Sequence, residues 1–237
     1  MLESLATLEP PVRRRLIAYL SDFLTQSRRE RMDAVLKQRT RFVTLVLEDI
    51  YQPHNVAAVL RSAECFGVQD VHAIENRNIF DDEGSPVSMG ADKWLDQHRW
   101  NTPGEDNTTA CLTALKEQGT QLLAMTLGEG SIPLEEAPLD RPTAILIGTE
   151  KKGLSQTAHE LADHFVHIPM VGFTQSFNLS VCAALCLRDL TSRMRKANLP
   201  WALKQEEQEQ LHLDWLCRSI ATSAQLIETF FASQEAS

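Results

Sequence analysis

Between residues 42 and 196, short apolar segments alternate with longer segments whose apolar residues recur at helical spacing. Strands that alternate with helices in this way are typical of a parallel sheet, in which each helix crosses over to the next strand. The predicted strands cover residues 42–47, 71–74, 94–100, 121–125, 143–147 and 165–168. The predicted helices cover residues 56–66, 109–118, 155–162 and 177–196. We therefore predict an α/β fold, a parallel sheet with crossover helices, in which the polar segment 75–90 is a loop.

Helical segments flank this predicted core on both sides. Residues 12–36 read as one or two amphipathic helices, with Leu16, Tyr19, Leu20, Phe23 and Leu24 on one face. After residue 200 we predict a single acidic helix over residues 204–231, whose apolar residues need a partner to cover them. The predicted domains are thus a basic helical extension (1–41), the α/β domain (42–198) and a C-terminal helix (199–237).

Composition excludes several classes of protein. A chain of 237 residues with 43% hydrophobic residues is long enough for one α/β domain with extensions. It has no run of 18 apolar residues that predicts a membrane span, and no apolar core of a signal peptide near its N-terminus. Its five scattered cysteines suit a reducing cytoplasm, so we expect a cytoplasmic protein. Cys182 and Cys186 lack further ligands nearby, and we predict no metal site.

The distribution of charge matters more than its sum. The net charge is −9, which by itself argues against a nucleic-acid partner. Residues 1–41, however, carry nine Lys and Arg against five Asp and Glu. Such a basic segment could bind phosphates, although a solvated helix face explains the same residues at least as well.

Three segments lie where a predicted strand gives way to a helix. Residues 55–67 form a helix of their own, and residues 146–155 and 168–185 each run from the end of a strand into a helix. The second contains Gly148-x4-Gly153, which differs from a phosphate-binding loop because Leu154 replaces the required lysine. An apolar residue there suits a ligand less charged than a triphosphate. The alternative is an ordinary strand-to-helix connection. In the third, Ser176 and Asn178 precede a helix of small apolar residues, where their oxygens can cap free amides.

Together these segments resemble the three motifs of the SpoU/TrmH family of SPOUT RNA methyltransferases. The matching patterns are Asn55-x5-Arg61, Gly148-Thr-Glu150-x2-Gly153-Leu, and Ile168-Pro-Met170 with Ser176-x-Asn178, in the family's order and spacing. The resemblance spans residues 40 to 196 and is strongest to the branch that methylates the 2'-hydroxyl of a tRNA guanosine. It implies a deep trefoil knot at about residues 121–196, S-adenosylmethionine as the cofactor, and a homodimer with composite active sites.

The resemblance also implies which residues bind the cofactor. They lie in the three loops of the knot, and simple core packing is the alternative for the apolar Met125, Ile168 and Phe177. The implied cofactor-binding residues are Met125, Thr126, Gly148, Gly153, Ile168, Met170, Phe177 and Leu179.

The implied catalytic residues are Asn55, Arg61, Glu150, Ser176 and Asn178. A guanidinium has no lone pair, so Arg61 can orient the 2'-hydroxyl, stabilise an alkoxide or hold a phosphate that takes the proton, but cannot easily act as a base. The alternative to a catalytic role for Arg61 is a surface ion pair with Glu64. Asn55 is expected to cap its helix and point into the site, and Glu150 to bond to Asn55 or to the backbone.

The predicted function is methyl transfer from S-adenosylmethionine to a guanosine 2'-hydroxyl of tRNA, in the D-loop. Methylation of ribosomal RNA and a non-catalytic RNA-binding protein are the alternatives. The predicted partners are tRNA and a second copy of the chain. The predicted RNA-binding residues are Arg28, Arg29, Arg31, Arg41, Arg193 and Arg195.

Overall fold

In the computed structural model, the described residues are 5, 7–80, 89–128 and 130–235. The chain divides into two compact units. Residues 40–201 form the core unit, and residues 1–39 together with 202–237 form the helical unit. Part of the predicted loop 75–90, residues 81–88, lies outside the described residues.

The core unit contains a parallel sheet of seven strands, in the order β3-β2-β1-β6-β4-β7-β5. The strands are β1 Val43–Glu48, β2 Asp70–Ile74, β3 Asp96–Trp100, β4 Gln121–Met125, β5 Ile132–Pro133, β6 Thr143–Ile147 and β7 His164–His167. The predicted α/β fold with a parallel sheet is confirmed. The two-residue strand β5 was missed, because Ile132–Pro133 is too short to give a periodic signal.

Helices cover both faces of this sheet, as parallel strands require when they are buried on both sides. The helices of the two units are α1 Pro10–Ser21, α2 Gln26–Leu36, α3 Pro53–Phe66, α4 Asn107–Glu117, α5 Gln156–Leu161, α6 Leu179–Lys196, α7 Gln205–Ser219 and α8 Ser223–Glu235. Helices α3 and α6 pack against one face, where Leu45 and Leu47 meet Leu60 and Leu187. Helices α4 and α5 pack against the other face, around Leu146.

The order of the strands fixes where a ligand can bind. From β1 the chain goes to β2 on one side, and β6 later pairs with β1 on the other side. A crevice forms at the carboxyl edge of a parallel sheet where the connections part in this way. The carboxyl ends of β1 and β6, at Glu48 and Ile147, mark that point.

The helical unit is built from both ends of the chain. Helix α1 packs on α7 and α8, and α2 packs on α7. The predicted single helix over residues 204–231 is wrong, because the extended backbone of Ile220 ends α7 and α8 starts at Ser223. The apolar face predicted to need a partner is covered within this unit, where Trp215 is 1% and Phe230 7% exposed. That face therefore gives no support to a dimer.

Candidate active site

Loops that follow three neighbouring strands enclose a cavity of about 250 Å³ at the carboxyl edge of the sheet. We name it the three-loop cavity. Its walls come from the segment after β4, the segment after β6, and the chain between β7 and the first turn of α6. It is lined by Met125, Thr126, Leu127, Ile147, Thr149, Glu150, Lys152, Gly153, Leu154, His159, Ile168, Met170, Ser176, Phe177, Leu179 and Cys182. The structure thus brings together seven of the eight predicted cofactor-binding residues around one cavity.

Gly148, the eighth, lies beneath this lining for a steric reason. A Cβ at residue 148 would lie 2.2 Å from the carbonyl carbon of Gly153 and 2.4 Å from the amide nitrogen of Leu154. The loop closes on itself here, because Thr149 and Gly153 exchange backbone hydrogen bonds of 3.1 and 2.8 Å. Gly153 has a φ of +67°, a left-handed conformation that favours glycine. Both glycines are therefore required by the shape of the loop that forms the cavity wall.

Beside the cavity, Asn55, Glu150 and Asn178 form a connected hydrogen-bonded group that we name the polar cluster. Glu150 Oε1 accepts hydrogen bonds from Asn178 Nδ2 at 2.9 Å, from the amide of Leu179 at 3.1 Å and from Asn55 Nδ2 at 3.4 Å. Asn178 Nδ2 also donates to Asn55 Oδ1 at 3.1 Å. The three residues come from three different motifs, and the contacts expected of Glu150 are present.

The start of α6 explains why a carboxylate is stable in this place. Asn178 is the N-cap of α6 and its side chain accepts a hydrogen bond from the amide of Ser180 at 3.0 Å. The carboxylate of Glu150 accepts a hydrogen bond from the neighbouring free amide, that of Leu179. Negative charge is favoured at a helix N-terminus, because the first amides have no partner within the helix. The position of Glu150 therefore follows from helix geometry as well as from its side-chain partners.

Asn55 does not cap its helix, so that expectation is wrong. Helix α3 begins two residues earlier, at Pro53, with Gln52 as the N-cap. Proline sets a helical φ and needs no amide partner at the first position, which moves the start of the helix upstream. Asn55 is 3% exposed and donates to Gln52 Oε1 at 2.6 Å as well as to Glu150. Its side chain is thus free to join the polar cluster.

Arg61 lies apart from the residues with which it was grouped. It is exposed on α3, does not line the three-loop cavity, and its side chain makes no hydrogen bond or ion pair with the described residues. The alternative ion pair with Glu64 is therefore not formed. Six residues on a helix place Arg61 roughly 120° around the axis from Asn55. Ser176, by contrast, lines the cavity with an exposed side chain.

The predicted RNA-binding arginines differ in how far the fold engages them. Arg41 pairs with Asp70 and, at 2.5 Å, with Asp96; burial lowers the pKa of its guanidinium, but the two carboxylates outweigh this and raise it. Arg193 donates to the carbonyls of the short turn 134–137 that precedes β6. These contacts argue against RNA binding by Arg41 and Arg193.

The other four have more exposed side chains or fewer partners. Arg195 donates to the carbonyl of Phe66 at 3.1 Å and stacks on the ring of Trp201 at 5.4 Å, and burial lowers its pKa. On α2, Arg28 and Arg31 are exposed, and Arg29 forms an exposed ion pair with Asp22 at 3.2 Å.

Sequence reasoning missed a buried carboxylate next to the cavity loop. Glu48, 3% exposed at the end of β1, accepts hydrogen bonds from the amide and hydroxyl of Ser155 at 2.7 and 2.6 Å and from the hydroxyl of Thr108 at 2.6 Å. It holds the segment after Gly153 in place. A charged residue directly after five apolar or β-favouring residues is the signal that could have identified it.

Among the described residues, no group of three or more His, Cys, Asp or Glu side chains is arranged to hold a metal ion. No helix in the described part of the chain has the length and apolar character to cross a bilayer. The cysteines, including Cys182 at the cavity, are free thiols.

The fold and this site define a parallel α/β protein in which three loops at the carboxyl edge of the sheet form a small cavity beside a polar cluster. Residues 43–188 match the model of the SpoU rRNA Methylase family. The chain belongs to that family, which confirms the family predicted from the three motifs.

Similar proteins agree with this assignment. The tRNA (guanosine(18)-2'-O)-methyltransferase of Borreliella burgdorferi is 36% identical over 217 residues, which are 92% of this chain and 96% of that protein. The crystal structure of the TrmH/SpoU tRNA modifying enzyme of A. aeolicus has the same fold, with a TM-score of 0.73 at 24% identity over 82% of this chain and 98% of that one. The SpoU methyltransferase AviRb of Streptomyces viridochromogenes, solved with AdoMet, has a TM-score of 0.57 at 24% identity, over 67% and 63%.

Proposed function

We propose that this protein transfers a methyl group from S-adenosylmethionine to the 2'-hydroxyl of a guanosine in the D-loop of tRNA. The observation that carries the proposal is the polar cluster of Asn55, Glu150 and Asn178 beside a cavity built from all three motif loops. The B. burgdorferi relative supports the substrate, because it matches nearly the whole chain and is named for that reaction.

The three-loop cavity fits S-adenosylmethionine. Met125, Ile168 and Phe177 offer apolar contacts for an adenine ring, and Thr126 and Ser176 offer hydroxyl groups. Leu154, at the position that a lysine occupies in a phosphate-binding loop, is 7% exposed and gives no charge for a triphosphate. S-adenosylmethionine, when bound, supplies an electrophilic methyl group on a positively charged sulfur.

A simple binding test follows from this fit. Isothermal calorimetry on the purified protein is expected to detect S-adenosylmethionine and its demethylated product, but not ATP. Tight binding of ATP without binding of either sulfur compound contradicts the assignment of the cavity.

The remaining residues prepare the acceptor. A ribose 2'-hydroxyl is a weak nucleophile near neutral pH, so its proton must be removed or its oxygen strongly oriented before attack. In this proposal the polar cluster positions the ribose and Ser176 orients it from the cavity side. Arg61 stabilises the 2'-oxygen and holds an RNA phosphate that accepts the hydroxyl proton. Glu150 holds the polar cluster in place rather than transferring a proton, because its Oε1 already accepts three hydrogen bonds.

Because Arg61 lies outside the three-loop cavity of its own chain, we propose that a second copy supplies it in a homodimer. Next to Phe177, helix α6 exposes Val181 and Leu185, which are 45% and 39% exposed, and α6 packs along α3, the helix that carries Arg61. An apolar face next to the site suits a symmetric interface of this kind.

Mixing two inactive variants tests this composite site. Arg61→Ala and Asn178→Ala are each expected to be inactive, whereas random exchange of subunits restores about a quarter of the active sites, because half of the dimers then contain one intact site. No recovery after verified exchange of subunits contradicts the composite site, because it means that one and the same chain supplies both Arg61 and Asn178.

We also propose that residues 121–196 form the deep trefoil knot. The strand order supports this, because β6 pairs between β1 and β4, while β7 pairs on the other side of β4 and the chain then returns to pack α6 on α3. An experimental backbone trace through residues 121–196 tests the threading. The free cysteines and the tRNA substrate favour the cytoplasm as the place of action.

Methylation of ribosomal RNA is the second candidate function, favoured by the description of the matching family. Mass mapping of ribose methylation in tRNA and ribosomal RNA from cells that lack the gene separates the two. Loss of one methylated guanosine in the tRNA D-loop supports the proposal, loss of a ribosomal site supports the second candidate, and no loss in either supports a non-catalytic RNA-binding protein.

A further inference from the structure

A second cavity, of about 540 Å³, lies across the loop 149–154 from the three-loop cavity. We name it the basic cavity. Its walls are the carboxyl ends of β1 and β2, the start of α4 and the outer side of the loop after β6. It is lined by Glu48, Asp49, Tyr51, Asn76, Arg77, Asn78, Asp106, Thr108, Thr149, Lys151, Lys152, Gly153, Leu154, Ser155, Gln156 and Thr157. None of the proposed catalytic residues lines it.

Three cations that line this cavity have no partner among the described residues. Arg77, Lys151 and Lys152 are exposed, and their side-chain nitrogens form no hydrogen bond or ion pair with any residue of the described ranges. Cations grouped around a concave surface favour an anionic ligand, because the low-dielectric walls concentrate their field.

The cavity also contains three carboxylates, but their oxygens are engaged by the protein. Asp49 Oδ1 accepts from the amides of three successive residues, 76–78, at 2.9, 2.8 and 3.3 Å. Asp106 caps α4, and the hydroxyl and amide of Thr109 lower the pKa of its carboxyl. Glu48 is buried and accepts from Ser155 and Thr108. The carboxylates keep their charge but are tied to the walls by these hydrogen bonds, whereas the three cations have no such partner in the part of the chain that the structure describes.

Hydrogen bonds within the protein hold the walls of this cavity in place. Asp49 has a φ of +55°, a conformation rarely adopted by non-glycine residues and held here by the loop that its carboxylate binds. Asn76 donates to the hydroxyl of Thr108 at 2.8 Å and accepts from the amide of Asn107 at 3.0 Å, which fixes the loop to α4. Backbone in such a conformation, where the surroundings hold it, is found most often at sites that bind ligands.

A small depression connects the basic cavity to the polar cluster. It is lined by Ile50, Tyr51, Gln52, Asn55, Thr149, Glu150 and Leu179. Tyr51 and Thr149 line both this depression and the basic cavity, whereas Glu150 and Leu179 line both the depression and the three-loop cavity. A strand of RNA whose ribose reaches the polar cluster can therefore continue past Tyr51 into the basic cavity.

We propose that the basic cavity binds the phosphodiester of a nucleotide next to the methylated one, and that Arg77 and Lys151 are positioning residues for the RNA. Tyr51, 46% exposed at the entrance, offers a ring on which the neighbouring base stacks. This inference rests on the proposed function and adds the direction in which the RNA strand leaves the site. Lys152 lines both cavities, so the test uses Arg77 and Lys151.

The test compares two double variants of the full-length protein that change the net charge equally. Arg77→Gln/Lys151→Gln removes two cations from the basic cavity. Lys93→Gln/Arg141→Gln removes two cations that precede β3 and β6, at the opposite edge of the sheet. Binding of an unmodified tRNA transcript is measured against salt concentration, together with KM for tRNA, methyl transfer and affinity for S-adenosylmethionine.

The first variant is expected to raise KM for tRNA by about tenfold or more and to reduce the log–log salt slope by roughly 0.7 for each lost single-strand phosphate contact. Affinity for S-adenosylmethionine stays unchanged. The charge-preserving Arg77→Lys/Lys151→Arg is expected to retain most of the binding. An unchanged slope and KM in Arg77→Gln/Lys151→Gln, or an equal loss in Lys93→Gln/Arg141→Gln, overturns the inference.

Failure of the proposed function gives a different result. If the wild-type protein binds the transcript but methylates neither tRNA nor ribosomal RNA, the salt slopes still decide whether the basic cavity binds RNA. If the wild-type protein binds no RNA, both the proposed function and this inference are wrong.

Discussion

Replacing Gly148 with alanine is expected to distort the loop that forms the cavity wall and to destabilise the fold. The new Cβ would lie 2.2 Å from the carbonyl carbon of Gly153, whereas carbon atoms in contact lie about 3.5 Å apart or more. The neighbours are backbone atoms, which cannot swing away as the end of a side chain can. The loop 149–153 must therefore move by about 1 Å or more.

That displacement reaches the polar cluster directly. Glu150 belongs to the moving loop, and its hydrogen bonds to Asn178 and to the amide of Leu179 are 2.9 and 3.1 Å long. A movement of about 1 Å breaks bonds of this length, and a comparable misplacement at a reacting site costs on the order of a hundredfold in rate. Overpacking of a closely packed segment destabilises a protein by ~1–3 kcal/mol.

Gly128→Ala is the matched control, because it makes the same substitution near the same edge of the sheet. Among the described residues, a Cβ there meets only the hydroxyl of Thr126, at the ordinary contact distance of 3.7 Å. Calorimetric titration with S-adenosylmethionine, denaturant unfolding and methyl transfer are measured for both variants. Gly148→Ala is expected to lose affinity and activity, and Gly128→Ala to retain both. Wild-type affinity and stability in Gly148→Ala would refute the steric argument.

Three further predictions concern Arg61, the basic helix α2 and His72. Arg61→Ala and Arg61→Lys are both expected to lose nearly all methyl transfer with little change in cofactor affinity, because lysine lacks the planar two-pronged contact; an active Arg61→Lys reduces the role to a plain charge. Replacing Arg28, Arg29 and Arg31 with glutamine is expected to weaken tRNA binding and lower its salt slope by roughly 0.9 or less per contact, and an unchanged slope makes α2 a packing helix only. Burial, and then the charge of His98, lower the pKa of His72 to about 4 from 6.5. As the pH falls, the unfolded chain therefore binds a proton at this histidine before the folded protein does. The free energy of unfolding then falls by about 3 kcal/mol between pH 6.5 and 4. His72→Gln is expected to reduce that fall in acid unfolding experiments.

Apolar periodicity was enough to place the central strands and the helices of the core unit, because these elements bury one or both faces. Residues 143–147 are buried without exception, and the predicted strand has the same bounds as β6. Ends set by single residues were harder to place. Pro53 starts α3 earlier than the apolar pattern indicates, and Ile220 breaks the C-terminal helix without glycine or proline.

The packing of the two ends of the chain could not be predicted, since it depends on contacts between residues far apart in sequence. The apolar residues of α7 and α8 are evident in the sequence, but the pattern does not say whether α1 or another molecule covers them. In the structure α1 and α2 cover them. An amphipathic pattern in a helix shows that something must cover its apolar face, but only the tertiary structure shows which segment or molecule does so.

The motifs located the three loops, but side-chain roles depended on geometry that spacing does not give. The grouping of Asn55, Glu150 and Asn178 requires the ends of β1 and β6 and the start of α6 to meet. Helical spacing alone already separates Arg61 from Asn55 by roughly 120°, so a role for both at one centre needs either a ligand that spans them or a second chain. The position of Arg61 is therefore the strongest structural reason to expect a composite site.

Charge was the least reliable guide, because the sequence does not show which cations are already paired. Arg41 was predicted to bind RNA as part of the basic N-terminal segment, and Arg193 by resemblance to the family. Both have carboxylates or carbonyls of the core unit as partners. Arg77 and Lys151 were not predicted to bind RNA, yet within the described ranges their side chains have no partner and face one cavity. A chain of net charge −9 can bind RNA if cations that are available to a ligand are concentrated where the strand must pass, because screening limits repulsion by carboxylates beyond about 10 Å. Local availability of cations, rather than their total number, then decides where RNA binds.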